Sequence, residues 1–195
     1  MINLLPITKV IAIIAIIYAV LIAAILTFIH DANSTVLSSV IIALKGATAL
    51  NIVLLLVCYI GWRKIWKMFP SLNNLLFPDL NGEWEMTIYW HWEEKKGTTN
   101  ATAYIKQDFI KMSMEVMSED SESNTLLAKP KKDPESGRPM LYYIYRNTPK
   151  LKNGNNVIPY DGTALLKLAH NNLNYLKGNY YTDRLTYGRY ELKRK

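Results

Sequence analysis

The chain has 195 residues, with 23 Lys and Arg against 16 Asp and Glu, for a formal net charge of +7. The average hides two unlike parts: up to residue 70 there are five basic residues (Lys9, Lys45, Arg63, Lys64, Lys67) and one acid, Asp31, which leaves 18 and 15 for the remainder. The long apolar runs of the first part exclude a simple soluble globule, and a surplus of only +3 in the second excludes a strongly basic domain that binds DNA or RNA polymers.

Residues 7–29, ITKVIAIIAIIYAVLIAAILTFI, make an apolar run of about 34 Å as a helix, enough to cross a hydrocarbon core of about 30 Å. No small-x-small cleavage pattern follows, so the run reads as a first transmembrane helix rather than a secretory signal. Residues 36–62 make the second, with Lys45 and Asn51 embedded in it. A central Lys costs about 2.5–3.5 kcal/mol, whereas Val, Leu and Ile contribute about −0.3 to −0.6 kcal/mol each. Fourteen such residues stand between Val36 and Ile60, so insertion wins. Lys45 either snorkels to the near headgroups or makes a polar contact between helices, and with Asn51 it is the candidate membrane-active group.

Lys9 precedes the first run, Arg63, Lys64 and Lys67 follow the second, and the turn between them has no Lys or Arg. The positive-inside rule then predicts a multi-pass hairpin over 1–62 in a cell membrane, with both chain ends cytoplasmic. Asn33-Ser34-Thr35 also fits a glycosylation sequon, which carries little weight so near a bilayer. Residues 63–80 form a basic, aromatic connector expected at the interface, where Trp62 and Trp66 suit the headgroup layer.

From Gly82 the periodicity changes to strict alternation. Trp84, Met86, Ile88, Trp90 and Trp92 share one face of a strand; Ile110, Met112, Met114 and Val116, and then Leu141, Tyr143 and Tyr145, repeat the pattern. Turn signals lie near residues 97, 136, 154, 171 and 184. About eight short strands without a long amphipathic helix predict an all-β domain over 81–195, an antiparallel barrel of about eight strands wide enough for one small ligand.

Eleven of the thirteen tyrosines lie in this part. Many serve packing, but a pocket made of the rest offers flat apolar faces with hydroxyl tips, suited to a stacked nucleobase. Arg138, Arg146, Arg184 and Arg189 are candidate phosphate partners. There is no P-loop, no GxSxG elbow and no dinucleotide-binding glycine motif, so an enzyme is not expected. The lone Cys58 lies in an apolar run, and His30, His91 and His170 have no ligand spacing, so neither metal nor cofactor is expected.

A two-helix hairpin, LNGEW at 80–84 and an aromatic β-rich domain follow one another in this chain. Further short markers are Gln107, Ser121 and Ser123, Tyr143 and Tyr145, Asp161-Gly162-Thr163, Leu176-x-Gly178-x-Tyr180-Tyr181-Thr182, Arg184 and Gly188. In this order the chain resembles the two-transmembrane β-barrel effector of bacterial cyclic-oligonucleotide anti-phage signalling (CBASS), a CD-NTase-associated membrane effector. The resemblance implies a cytosolic barrel that receives a cyclic dinucleotide from a cognate nucleotidyltransferase. It further implies ligand-driven homo-oligomerisation, disruption of the inner membrane and cell death. Motif position and side-chain chemistry together make Trp84, Gln107, Tyr143, Tyr145, Thr163, Tyr180, Tyr181 and Arg184 the candidate ligand residues, although Trp84 equally suits a plug at the barrel base. Asp161 departs from the His-Gly-Thr of the family pattern. The rival reading is a membrane-anchored, lipocalin-like barrel for an apolar molecule, supported by the Gly-x-Trp opening and a basic last strand.

Overall fold

The computed structural model describes residues 7–29, 36–150, 158–169 and 172–195. The turn expected near residue 154, the Asn33 sequon, His30 and His170 lie outside the described residues. Helix α1 (Ile7–Ile29) pairs with α2 (Val36–Leu56), as the two apolar runs predict. Across this pair the Tyr18 hydroxyl donates to Asn51 Oδ1 at 2.5 Å, so each polar group finds a partner within the apolar surroundings. Lys45 lies on the opposite, open side of α2, in a shallow hollow with Ile41, Leu44, Thr48, Ala49 and Ile52.

The second helix does not end at the expected membrane boundary. A π-type turn, Val57–Gly61, carries it straight into α3 (Trp62–Met68). Leu37–Met68 is one apolar helix of 32 residues, about 48 Å long and thus longer than a hydrocarbon core. Its surplus length enters the barrel. Trp62 and Trp66, four residues apart and so on one helix face, are 1% and 6% exposed, and their rings meet edge to face at 5.5 Å. The sequence places these two tryptophans in the headgroup layer; the structure instead buries them in the protein core, because a barrel end needs a lid and apolar rings supply one.

After α4 (Ser71–Leu75) come eight strands: β1 (Gly82–Trp92), β2 (Lys95–Gln107), β3 (Met112–Ser118), β4 (Ser121–Lys132), β5 (Pro139–Pro149), β6 (Tyr160–Ala169), β7 (Asn172–Thr182) and β8 (Tyr187–Arg194). Each pairs antiparallel with the next, and β8 returns to β1 through Trp84↔Arg194 and Ile88↔Tyr190. Closure removes every sheet edge. The expected all-β barrel of about eight strands is thus observed. One turn is shifted: the segment around Gly97 is the start of β2, and the chain reverses three to four residues earlier, at Glu93 (φ 54°) and Glu94. Gly97 is needed for space, since a Cβ there would come within 2.4 Å of the Trp90 ring.

Dyad alternation turns one residue in two inward. At the helix end, Met86, Ala103, Ile105, Met114, Leu141, Leu166, Leu176 and Leu192 form a packed core with Trp84, Leu80, Phe77 and the two α3 tryptophans. The polar groups of this plug are matched. Trp66 Nε1 donates to the Phe77 carbonyl at 2.8 Å and Trp84 Nε1 to that of Leu80 at 2.9 Å. The buried Gln107 accepts from Leu80 N–H at 2.8 Å and donates to the Pro78 carbonyl at 3.1 Å. Arg63 reaches toward the Gln107 carbonyl at 3.4 Å and Asp79 at 3.7 Å.

Trp66→Ala would remove a ring from this plug and is expected to cost about 3–5 kcal/mol of barrel stability. Gln107→Leu would strand one buried N–H and one buried carbonyl, for a loss of about 2–4 kcal/mol. Denaturant unfolding of the full chain in lipid nanodiscs, followed by tryptophan fluorescence, measures both.

Candidate functional site

Since the helix end is filled, any ligand space must lie at the other end, where β1 turns to β2, β3 to β4, and β7 to β8. A cavity of about 300 Å³ is found there, at the lower end of the range for small-molecule sites. Larger hollows, up to about 640 Å³, lie on the outer wall, whereas the interior one gathers aromatic and polar groups from several strands.

Its floor and one wall are tyrosines. Tyr143 and Tyr145, two apart on β5, stack at 5.0 Å, and Tyr180 of β7 stacks on Tyr190 of β8 at 4.2 Å. The two pairs are joined by a 2.6 Å hydrogen bond between the Tyr145 and Tyr190 hydroxyls. Tyr143 donates to the Met114 carbonyl at 2.8 Å. Burial pushes the phenols of Tyr143, Tyr145, Tyr180 and Tyr190 up, with neighbouring tyrosines adding to the rise. The cluster is therefore neutral at any physiological pH, a set of apolar faces with protonated hydroxyl tips. Gly162 makes room for it, because a Cβ there would lie 2.4 Å from the Tyr145 ring and hydroxyl.

The opposite wall is polar. Ser118, Ser121, Ser123 and Asn147 form an arc across β3, β4 and β5. Asn147 Nδ2 donates to Ser121 Oγ at 3.1 Å and to Ser123 Oγ at 2.9 Å, and the Ser118 and Ser121 hydroxyls meet at 3.1 Å. At the mouth, the Arg184 guanidinium lies 4.5 Å over the ring of Tyr160 and donates to the Ile158 carbonyl. Burial raises the Tyr160 phenol and the Arg184 charge opposes the rise.

Of the eight candidates, the structure brings Tyr143, Tyr145 and Tyr180 together in this cavity and sets Arg184 at its rim through Tyr160. Four lie elsewhere. Trp84 and Gln107 are fully engaged in the plug at the far end. Thr163 and Tyr181 are neighbours across β6 and β7 on the outer wall, where Tyr181 is 58% exposed. Alternation explains these two: buried Gly162, Ala164, Leu166 and Leu168 set the inward parity of β6, and Tyr180 takes the inward position of β7. The departure at Asp161 has a local partner, since its carboxylate takes a forked pair of bonds from Arg146 at 2.8 and 3.0 Å. That pairing holds the Asp161 carboxyl below the usual range.

Sequence reasoning set Trp90 on a shared strand face and Thr182 in a motif without making either a ligand candidate, and it passed over Thr99, Asn147 and Thr186; all five line the cavity. The missing signal was available in part: parity carried forward from Tyr143 and Tyr145 puts Asn147 inside, and carried along β1 from Trp84 it does the same for Trp90. Among the described residues there is no cluster of His, Cys, Asp and Glu able to hold a metal.

The family model described as Cap15, cyclic dinucleotide receptor domain, matches residues 75–194, which takes in all eight strands of the barrel. The CD-NTase-associated protein 15 of Staphylococcus schleiferi is 30% identical to this chain over 129 residues. That match spans 66% of this chain and 66% of the relative, just under two thirds of each. With more than half of its length accounted for by the family model, and with the barrel as the matched part, this chain belongs to the Cap15 family.

Proposed function

We propose that this protein is a membrane effector of cyclic-oligonucleotide anti-phage signalling whose barrel cavity binds a cyclic dinucleotide made by a cognate nucleotidyltransferase. The observation that carries this reading is a neutral tyrosine cluster facing a polar arc, in a barrel matched by the receptor-domain family. Stacked bases suit the rings, and sugar or base-edge groups suit the serines and the amide. The phosphates lie toward the mouth, where Arg184 can pair with them and water can solvate the charge. The exposed Thr163 and Tyr181 are supporting candidates only if the ligand reaches over the rim, and Trp84 and Gln107 act by holding the base.

The helices are the output. In this reading both termini are cytoplasmic, α1 and α2 span the inner membrane of a bacterium, and ligand binding draws copies into an oligomer. Lys45, on the open face of α2, is then gathered with its counterparts in hydrocarbon, where polar groups seek water and one another and perforate the bilayer. Asn51, tied to Tyr18, holds the hairpin together instead. No catalytic step is involved, and cell death follows from loss of the membrane barrier. The lipocalin-like alternative needs an apolar cavity, and the Ser118–Asn147 arc counts against it.

The test is the thermal stability of the full chain in nanodiscs against cyclic di- and trinucleotides, linear dinucleotides and fatty acids. A true ligand at a hundredfold excess over its Kd stabilises the folded state by about 2.7 kcal/mol. A response to fatty acids and to no nucleotide would overturn the reading. Tyr180→Ala is expected to weaken binding of the responding ligand by about 1–3 kcal/mol, the worth of one stacked base, in a titration on the same nanodiscs. Lys45→Leu is expected to keep binding while reducing ligand-triggered dye leakage from liposomes, and unchanged leakage would remove Lys45 from the lesion.

A further inference from the structure

Asn147 stands out inside the cavity. The residue is 7% exposed and lines the polar arc, yet its side-chain carbonyl oxygen Oδ1 has no hydrogen-bond partner among the described residues. Both donors of its amide group are committed to Ser121 Oγ and Ser123 Oγ, and Ser121 is braced in turn by Ser118. The serines thus fix the amide plane from one side, and the unengaged acceptor, itself buried, belongs to a residue of the cavity wall. A buried carbonyl without a donor is costly in a folded protein, and structures retain such a group where something else completes it.

We infer that Asn147 is a specificity-determining residue, whose Oδ1 accepts a hydrogen bond from a donor on the nucleoside part of the ligand. This rests on the receptor reading above and deepens it. The chemistry required is an N–H of a base edge or an O–H of a ribose; a phosphate oxygen, being an acceptor itself, is repelled. Asp120 lies on the same side of the mouth and repels anions too, whereas Arg184 lies on the β7–β8 side. The cavity is therefore polarised: phosphates turn toward Arg184 and a donor-bearing edge turns toward Asn147. Tyr145 sits two residues before Asn147 on the same inward face, so a base stacked at the tyrosine cluster has its rim within reach of the arc. Rejection by such a site comes from the unpaired acceptor, and it discriminates more sharply than apolar contact.

The experiment measures Kd on the full chain in nanodiscs, using the tightest cyclic dinucleotide of a natural-base panel as the parent. It is compared with analogues in which an exocyclic amine is replaced by hydrogen and with analogues lacking one 2′-hydroxyl. On the native protein one of these classes is expected to bind about tenfold more weakly than the parent. The class that does so tells base edge from ribose. In Asn147→Val that penalty is expected to fall below about twofold, because parent and analogue then meet the same apolar group. Asn147→Ser provides a second variant should the valine disturb the serine arc, with melting of the ligand-free proteins as the folding control. Penalties that are equal in the native and variant proteins would overturn the assignment alone. Absence of any cyclic dinucleotide binding to the native chain would overturn the receptor reading and this assignment with it.

Discussion

A closed barrel of eight strands has one interior and two ends, and here one end is filled by the end of the long apolar helix. Trp62 and Trp66 could not lie in the headgroup layer and in the core at once. The length of Leu37–Met68 and the burial of both rings decide for the core. Much else depends on that choice. The connector must fold back beneath the barrel, so its backbone groups need partners, and Gln107, Trp66 and Trp84 supply them. With the base sealed, interior space opens at the far mouth, which is where the tyrosines converge.

The chemistry of that mouth follows from the cost of burying charge. Two phosphates taken into a low-dielectric interior would demand buried cations, each with its own desolvation penalty. Among the described residues that line the cavity none is basic, and the guanidinium of Arg184, over the ring of Tyr160, remains at the exposed rim. A neutral, hydroxyl-tipped aromatic bed can therefore receive the uncharged parts of a nucleotide while its anionic parts stay near water. This also accounts for a small surplus of positive charge in a barrel whose proposed ligand is an anion: the recognition does not need a strong field, only well-placed donors and acceptors.

Most of the architecture was legible because it rests on periodicity. Two long apolar runs and a change to strict alternation at Gly82 suffice for helices followed by an antiparallel barrel. The site was legible only by half, for reasons specific to strands. Tyr180 and Tyr181 are chemically alike and adjacent, and only one can face inward; the choice needs the parity of the whole strand, not the motif. Trp84 and Gln107 face inward as well, but at the wrong end, and which end is plugged depends on a helix distant in sequence. Asn147 carries no motif at all, and its unmet acceptor is a property of three-dimensional packing.

The same constraint limits how the proposed signalling can work. A ligand shifts an equilibrium only through different interactions with the two states, and this ligand would sit at the end of the barrel remote from the bilayer. The base cannot loosen readily, because Trp62, Trp66, Trp84 and Tyr143 belong to one continuous packed cluster with the inward leucines and methionines. Close-packed interiors of this kind move as a unit. Ligand and helices are then coupled by rigid-body orientation of the barrel and by whatever the filled mouth presents to a neighbour, not by unplugging the base. The rim is suited to such a role: Leu185, beside Arg184, is 83% exposed and held at a positive φ of 62°, a conformation costly for a branched apolar side chain. Tyr181 and Tyr187, paired across β7 and β8 just below it, extend the same exposed apolar strip along the outer wall. The stacked Tyr180 and Tyr190 lie on the same two strands, so occupation of the cavity bears on the strand pair that carries this exposed strip.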